Sequence, residues 1–450
     1  MRRVTAEVDI EREPSGARIW GGTGAIRRHL MAVLLLGAAL LLYLPRLDVP
    51  GRYIYDEAYH AFTAREYLAG NPDAFLWSTP APREGVGYTW NHPPVGLLLI
   101  TAGIAAVGDT SRGWRIPSAL FGALGILVAY ALSLSLTRDR EIALVTAALL
   151  LVDGLYFVQS RTSMLDVFGT VFMMGALIGL HAYLRAPATR IRGPLIGVGL
   201  GLGLALATKW NAAYPTALIG LVIGCRAVEI WRARRASAPG ALREHLVWLP
   251  VGLVVIPGMV YLAAYIPFFL AGHDWSQFVE LQRQIYQYHT SLKATHAYQS
   301  HWWQWPLALR PVWYHVEYMD AGIANIYAQG NPLLYWAFIP AALWLSVRWW
   351  KTRDTALVVL LIGFFGQWLP WGLVPRAAFM YHFLPAVPFG ALAVAALVVH
   401  AWRRGPRWQL LAFAYVLAVA LSFVYFYPLY AAVPLDRPAL ESRMWFDGWR

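Results

Sequence analysis

Two adjacent acids, Asp56 and Glu57, follow the first long apolar run of the chain. A charge at mid-membrane is unfavourable by roughly 2.5 to 3.5 kcal/mol, so an acid beside a span is expected to be hydrated or paired. Asp56 has the chemistry of a general base that removes a hydroxyl proton, and Glu57 that of a group that positions the acceptor or tunes its neighbour. The alternative is a solvated pair of loop acids.

Several basic residues beside the apolar runs are candidates for binding a phosphate. Arg161 has the fork geometry for this contact, with Asp166 holding either Arg161 or a sugar hydroxyl, and a local ion pair between the two is the structural alternative. Lys209 lies at the end of an apolar run. It could bind a phosphate, or its long side chain could simply reach the membrane interface. Other candidates for donor binding at the rim of the bundle are Arg115, Arg376 and His382.

A third group of residues is placed to line such a site. His92 precedes Pro93-Pro94, a pattern that favours the start of an interfacial helix over a direct role. The segment 296–307 is rich in Trp and His, which fits a carbohydrate or peptide subsite or the aromatic belt of any membrane interface. The candidate lining residues are His92, Tyr381, His301, Trp302 and Trp303. There is no HExxH or DxD-like motif beside them, so we expect no metal and no soluble nucleotide donor.

Composition defines the elements that must position these residues. The chain has 450 residues, of which 58% are hydrophobic and 14% charged, with a mean hydropathy of +0.46. Apolar runs of about 16 to 25 residues predict an all-α polytopic membrane protein and not a barrel. The net charge of +12 comes from basic clusters between these runs, so nucleic acid is not an expected partner. The single cysteine, Cys225, excludes a disulfide within the chain.

The basic clusters also predict the topology. Twelve apolar runs are present, but the positive-inside rule is obeyed only if one early run does not cross. The run 94–108 is the best candidate, as an outer juxtamembrane helix, which leaves eleven crossings with the amino terminus inside and the carboxy terminus outside. The predicted parts are a cytoplasmic tail 1–29, a catalytic membrane module 30–270 with a first outer loop 46–114, an outer Trp/His-rich loop 271–332, a four-helix membrane region 333–428 and an outer tail 429–450.

Four alternating glycines lie within one apolar run. Gly197 with Gly201 and Gly199 with Gly203 form two overlapping GxxxG spacings and lack the strand context of a dinucleotide-binding loop. We therefore predict two helix-packing surfaces here.

With these motifs in place, the chain resembles the protein O-mannosyltransferase family, the dolichyl-phosphate-mannose-protein mannosyltransferases of the GT-C superfamily. The resemblance extends from about residue 53 to residue 427. It rests on Asp56-Glu57, His92-Pro93-Pro94, 115–119, 159–161 with Asp166, 208–210, 298–307, 330–332 and 381–385. Leu97 departs from the pattern, because the family often has a lysine there. The loop 271–332 is too short for the MIR domains of eukaryotic members, which indicates a bacterial-type member.

The resemblance implies a GT-C fold of about eleven transmembrane helices plus outer juxtamembrane helices, with Asp56 as catalytic base. It implies a polyprenyl-phosphate-mannose donor, no further cofactor, and inverting transfer to Ser or Thr of a secreted or membrane protein at the outer face of the plasma membrane. Association with the Sec translocon is a further expectation. The alternatives are a GT-C enzyme with a lipid or cell-wall glycan acceptor and, ranked lower, a transporter, which predicts inverted repeats and mid-span charges.

Overall fold

The computed structural model describes residues 23–233 and 239–450, which are mostly helical. The first half contains helices α1 (Thr23–Tyr43), α2 (Glu57–Leu68), α3 (Val95–Val107), α4 (Ser111–Thr137), α5 (Arg140–Leu151), α6 (Gly154–Gln159), α7 (Asp166–Arg185), α8 (Arg192–Leu206) and α9 (Ala213–Ala233). The second half contains α10 (Pro239–Pro250), α11 (Ile256–Ala264), α12 (Ile266–Leu270), α13 (Trp275–Ser291), strands β1 (Val312–Met319) and β2 (Gly322–Ala328), α14 (Pro332–Thr352), α15 (Thr355–Trp368), α16 (Val387–Trp402), α17 (Pro406–Tyr430) and α18 (Arg437–Glu441).

Seven helical stretches within the described residues are long and apolar enough to cross a membrane. They are Ser111–Thr137, Asp166–Arg185, Trp210–Arg232, Arg243–Ala264, Thr355–Leu373, Met380–Trp402 and Pro406–Tyr430. The predicted class of helical, multi-pass membrane protein is confirmed. The count of eleven crossings stays a prediction, to which shorter apolar helices such as α8 would contribute.

Helix α3 corresponds to the run 94–108 that was predicted not to cross. It has 13 residues and begins directly after Pro94, which occupies its N-cap. At 1.5 Å per residue it is about 20 Å long, short of a hydrocarbon core of about 30 Å. This length fits an interfacial position, and the predicted helix start at His92-Pro93-Pro94 is confirmed.

The loop 271–332 contains regular structure that the sequence analysis did not predict. Helix α13 begins with a capping box between Asp274 and Gln277. Strands β1 and β2 form an antiparallel hairpin, with Val312 opposite Ala328 and an irregularity between Trp313 and His315. The described part of the chain is therefore mostly helical, with a two-stranded sheet that the sequence analysis did not predict.

The alternating glycines of α8 pack against two different helices. A Cβ atom at Gly201 would lie 2.8 Å from Ala176 Cα of α7, and one at Gly203 would lie 3.0 Å from Pro257 Cα of α11. Gly199 approaches Gly252 just as closely. The predicted packing surfaces are confirmed, and the close approach of α7 and α8 fixes the relative position of polar residues at their ends.

Candidate active site

One polar cavity lies where the ends of several helices meet. Its volume is about 560 Å³, and its wall includes Asp56, His92, Lys209, Arg376, Tyr381 and His382, six of the residues singled out in the sequence. A second cavity of about 360 Å³ shares His92, Lys209 and Arg376 with the first. Polar residues that are distant in sequence thus lie together in one region of the structure.

Asp56 is the unpaired acid of the cavity. It occupies the N-cap of α2, but its side chain makes no capping hydrogen bond, and no other group in the described part of the chain donates to it. Burial raises the pKa of the Asp56 carboxyl to about 7, while nearby Lys209 lowers it and Asp166 raises it. A half-buried carboxylate with a pKa near neutrality has the properties of a general base.

Glu57 points away from Asp56 into the protein interior. Its carboxylate accepts hydrogen bonds from Arg115 Nε at 2.8 Å and Arg115 Nη2 at 2.7 Å, and from the backbone N–H groups of Ile54 and Ser163 at 3.1 and 3.0 Å. Neither Glu57 nor Arg115 lines the cavity. The structure thus places Glu57 outside the cavity, with both carboxylate oxygens bonded to Arg115 and to backbone N–H groups.

Arg115 is equally occupied. Besides its two bonds to Glu57, it donates from Nη1 to the carbonyls of Leu47 and Pro50 at 3.1 and 2.8 Å, and from Nη2 to that of Arg52 at 3.1 Å. Its side chain is 1% exposed. The structure thus places Arg115 outside the cavity, where it anchors the segment between α1 and α2 to α4.

Arg161 binds backbone carbonyls at the carboxy-terminal end of α1. Its Nη1 donates to the carbonyls of Tyr43 and Pro45 at 2.5 and 2.7 Å, and its Nη2 donates to that of Arg46 at 2.9 Å. The carbonyls at a helix C-terminus lack partners within the helix, so a buried guanidinium stabilises them. Arg161 lies outside the cavity, and the alternative of an ion pair between Arg161 and Asp166 is wrong.

Asp166 pairs instead with Lys209. Lys209 Nζ lies 2.8 and 3.0 Å from the two Asp166 carboxylate oxygens, and both side chains are buried. Asp166 is the first residue of α7, and Lys209 follows the end of α8, so the packing of these two helices creates the pair. An ammonium group has three donors, which leaves Lys209 with one for a ligand in the cavity.

Arg376 supplies a second cation. It is half-buried in the segment before the turn Met380–Ala386, and its guanidinium lies 6.0 Å from the ring of Trp371. No carboxylate in the described ranges forms an ion pair with Arg376. Since the guanidinium borders both cavities, it is placed to receive an anion there.

His382 is buried beside this cation. The backbone N–H of Phe379 donates to His382 Nδ1 at 3.0 Å, and the ring centroid lies 4.2 Å from that of Trp371 and 4.5 Å from that of Tyr381. The Tyr381 ring in turn lies 5.4 Å from Lys209 Nζ. His382 and Tyr381 thus form a compact aromatic cluster next to Lys209 and Arg376.

Two further histidines of the cavity region were missed by the sequence analysis. His60 Nδ1 bonds to the carbonyl of Ser163 at 3.0 Å, and the His289 ring lies 5.3 Å from that of His92. Burial lowers the pKa of His60 to about 3 and that of His289 to about 4, with nearby cations acting in the same direction. The position of His60 four residues after Asp56 on a helix was the available signal.

Aromatic rings surround Tyr55, the residue that precedes Asp56. Tyr55 stacks on Tyr314 of β1, with centroids 4.4 Å apart, and lies 5.9 Å from Tyr381 and 6.3 Å from His296. Tyr314 was missed because the hairpin that carries it was not predicted. The predicted lining residues His301, Trp302 and Trp303 lie outside the cavity.

Of the segment 296–307, the cavity wall includes His296, and these three residues make other contacts. His301 stacks on exposed Trp303, and the Trp302 carbonyl accepts a bond from Trp368 Nε1 at 2.8 Å. In the described residues, no three His, Cys, Asp or Glu side chains are grouped so as to hold a metal ion.

The fold is that of a polytopic glycosyltransferase of the GT-C type. The chain is similar to the solved structure of the Saccharomyces cerevisiae protein O-mannosyltransferase Pmt1-Pmt2 complex bound to the sugar donor, with a TM-score of 0.77, 15% identity, and coverage of 94% of this chain and 93% of that one. It is also similar to ArnT from Cupriavidus metallidurans bound to undecaprenyl phosphate, with a TM-score of 0.55, 17% identity, and coverage of 90% and 71%.

The family follows from the sequence matches. Residues 33–271 match the family described as dolichyl-phosphate-mannose-protein mannosyltransferase, and residues 274–449 match the C-terminal four-transmembrane region of protein O-mannosyltransferase. The chain belongs to the protein O-mannosyltransferase family.

Relatives named polyprenol-phosphate-mannose–protein mannosyltransferase are similar over most of the chain. The protein from Mycobacterium tuberculosis is 28% identical, with 96% of this chain and 92% of the relative covered. The protein from Corynebacterium glutamicum is 26% identical, with 80% and 81% covered.

Proposed function

We propose that this protein transfers mannose from a polyprenyl-phosphate-mannose donor to Ser or Thr hydroxyls of proteins. The observation that carries the proposal is the meeting of an unpaired carboxylate, Asp56, with Lys209 and Arg376 in one cavity. Family membership and the names of the similar bacterial proteins support the choice of sugar, donor and acceptor.

The donor phosphate is assigned to the junction of the two cavities. Lys209 and Arg376 both border that junction, and a phosphodiester carries one negative charge. Because Asp166 already compensates Lys209, Arg376 contributes the uncompensated positive charge, and Lys209 adds its third N–H donor. The site thus matches the charge of a singly charged phosphodiester.

The chemical step is a direct displacement at the sugar. Asp56 removes the proton of the acceptor hydroxyl while the hydroxyl oxygen forms a bond to C1 of mannose. The bond between C1 and the phosphate oxygen breaks on the opposite face, and its electron pair stays on the phosphate. The phosphate then carries a second negative charge, which Arg376 and Lys209 stabilise. Asp56 and the cations therefore act on opposite sides of one sugar ring.

The membrane explains why a lipid-linked donor suits this cavity. We place the cavity at the outer face of a plasma membrane, with the amino terminus inside, because that orientation leaves the basic clusters in the cytoplasm. Nucleotide sugars are absent on the outer side, whereas the phosphate of a lipid carrier lies at headgroup level. An acceptor emerging from the Sec translocon would meet the cavity on this side.

A second acceptor class is the main competing function. An undecaprenyl phosphate-4-amino-4-deoxy-L-arabinose arabinosyl transferase from Pseudomonas fluorescens is 29% identical over 52% of this chain and 40% of its own length. The name of this relative gives a lipid-phosphate-linked sugar and no protein acceptor. The alternative function is therefore that of a GT-C enzyme that modifies a lipid or a cell-wall glycan. The two functions share the donor chemistry and differ in the acceptor.

The test is transfer of labelled mannose from polyprenyl-phosphate-mannose to a Ser/Thr-containing peptide by purified protein in lipid. Wild-type protein is expected to label the peptide, and Asp56→Asn to be slower by about 100- to 10,000-fold. Asp73→Asn is the matched control, because Asp73 is an exposed acid outside the cavity. Label in a lipid or glycan fraction and none in the peptide would favour the alternative acceptor.

A further inference from the structure

His60 lies on the cavity wall one helical turn after Asp56. The His60 backbone N–H donates to the Asp56 carbonyl at 2.8 Å, so the two residues have the spacing that brings side chains to one helix face. Both side chains line the cavity, and His60 is nevertheless almost completely buried. The proposed displacement, in which Asp56 is the base, does not use His60.

The hydrogen bond of His60 fixes which nitrogen carries the proton. The Ser163 carbonyl, 3.0 Å from His60 Nδ1, can only accept a hydrogen bond, so Nδ1 is the donor. Nε2 of the neutral ring is then an acceptor, and no group in residues 23–233 and 239–450 pairs with it. Burial lowers the pKa of His60 to about 3, so the ring is neutral near pH 7. His60, at the cavity wall, therefore carries an uncharged nitrogen that only accepts hydrogen bonds.

The position of this nitrogen relates it to the sugar. The rings of His60 and His92 lie 6.4 Å apart, and His92 borders the junction with Lys209 and Arg376. In a direct displacement the sugar lies between the base and the departing phosphate, so the wall between Asp56 and His92 faces the sugar. A hydroxyl is the group of a sugar that donates a hydrogen bond, whereas a phosphate would find no donor at His60 Nε2.

We propose that His60 Nε2 accepts a hydrogen bond from one hydroxyl of the transferred sugar and thereby contributes to the choice of sugar. This inference rests on the proposed function, since it uses the direction of the displacement. It assigns a specificity contact to a residue that takes no part in the displacement itself.

The experiment combines deoxy donors with two histidine variants. Polyprenyl phosphates carrying mannose or its 2-, 3-, 4- or 6-deoxy forms are compared by kcat/KM. His60→Asn retains an N–H near the Nδ1 position and lacks an acceptor at Nε2, whereas His60→Gln retains an oxygen acceptor near Nε2. With wild-type protein, one deoxy donor is expected to react about 5- to 100-fold more slowly than mannose.

The contact predicts that His60→Asn slows the mannose donor by a similar factor and that the same deoxy donor then shows no further loss. The other deoxy donors are expected to keep their wild-type ratios, and the pH profile its midpoint. A variant that slows all five donors alike would overturn the contact and indicate a structural role. If His60→Asn does not fold, His60→Gln decides: a mannose rate near that of wild-type protein together with the same single deoxy loss supports the contact, and slowing of all five donors by one common factor overturns it.

The proposed function fails separately from this contact. Absence of mannose transfer by folded wild-type protein overturns both. Transfer of mannose with equal rates for all deoxy donors overturns only the role of His60.

Discussion

The Glu57 carboxylate accepts two parallel hydrogen bonds from the Arg115 guanidinium, at 2.8 Å from Nε and 2.7 Å from Nη2, and both side chains are withdrawn from solvent. The pair joins α2, which carries Asp56, to α4 of the bundle. Through its remaining donors, Arg115 also holds three carbonyls of the segment between α1 and α2. The two adjacent acids thus divide their roles: Glu57 fixes the fold, and Asp56 faces the substrate cavity.

This division predicts opposite effects of two neighbouring substitutions. Glu57→Gln leaves the Arg115 charge buried without a counter-ion, which is expected to destabilise the protein by about 3 to 5 kcal/mol. Asp56→Asn is expected to leave the unfolding temperature unchanged or higher, because it removes a carboxylate that burial disfavours. Thermal unfolding of both variants in the same detergent measures the difference.

A double variant provides the control for this prediction. Glu57→Gln with Arg115→Met removes both charges, and part of the lost stability is expected to return. Folded double variant should still transfer mannose, since neither residue lines the cavity. Restored folding with complete loss of transfer would contradict the structural role of the pair.

The pH dependence of transfer should follow the ionisation of Asp56. The base acts only when ionised, so kcat/KM is expected to rise with pH and level off above a midpoint near pH 7. Lys209 lowers the pKa of Asp56, and Asp166 raises it. Lys209→Met removes the cation and frees the Asp166 charge, so the midpoint should move to higher pH. A midpoint that moves down, or a profile that is flat from about pH 5 to 9, would contradict this assignment.

Arg376 is expected to act mainly on the departing phosphate. Because the negative charge on the phosphate grows during transfer, Arg376→Gln should lower kcat/KM by roughly 10- to 150-fold and weaken donor binding by less. Arg376→Lys should recover part of this loss by restoring the charge without the fork geometry. Arg437→Gln is the matched control, since Arg437 is exposed and pairs only with Glu441 among the described residues. Equal losses in the two Gln variants would exclude a specific role for Arg376.

The position of the cavity was predictable because it depends on patterns that are local in sequence. Helix ends follow from the lengths of apolar runs, and basic clusters assign those ends to one side or the other. Lys209, Arg376 and His382 all lie near such ends, so their convergence needed no knowledge of side-chain contacts. The family resemblance pointed to the same side of the membrane.

The partners of individual charges were not predictable in the same way. Asp56 and Glu57 are adjacent, and successive helix positions point about 100° apart, so only the packing of α2 decides which acid faces the cavity. Arg161 binds backbone carbonyls at the end of α1, and carbonyls leave no trace in the side-chain pattern. Tyr314 lies on a β-hairpin that was not predicted, because its strands are part of a loop rich in aromatic residues.

The carboxy-terminal segment 435–450 has a structural task that its sequence did not indicate. Trp449 is buried, its Nε1 donates to the Ala308 carbonyl at 2.7 Å, and its ring lies 5.6 Å from that of Phe426. Leu435 exchanges two backbone hydrogen bonds with Ile323 of β2, at 2.8 and 3.1 Å. The segment thereby holds both ends of the hairpin region against α17.

The hairpin in turn supports the residue next to the base. Its strand β1 carries Tyr314, which stacks on Tyr55, and Tyr55 precedes Asp56. Trp449→Ala is therefore expected to lower stability by about 3 to 5 kcal/mol and to reduce kcat several-fold with little change in donor affinity. Trp303→Ala, at an exposed tryptophan outside the cavity, should change neither. Unfolding temperature, kcat and donor affinity are measured on both variants. A Trp449→Ala protein with wild-type kcat would show that the hairpin keeps Tyr314 in place without the carboxy-terminal segment.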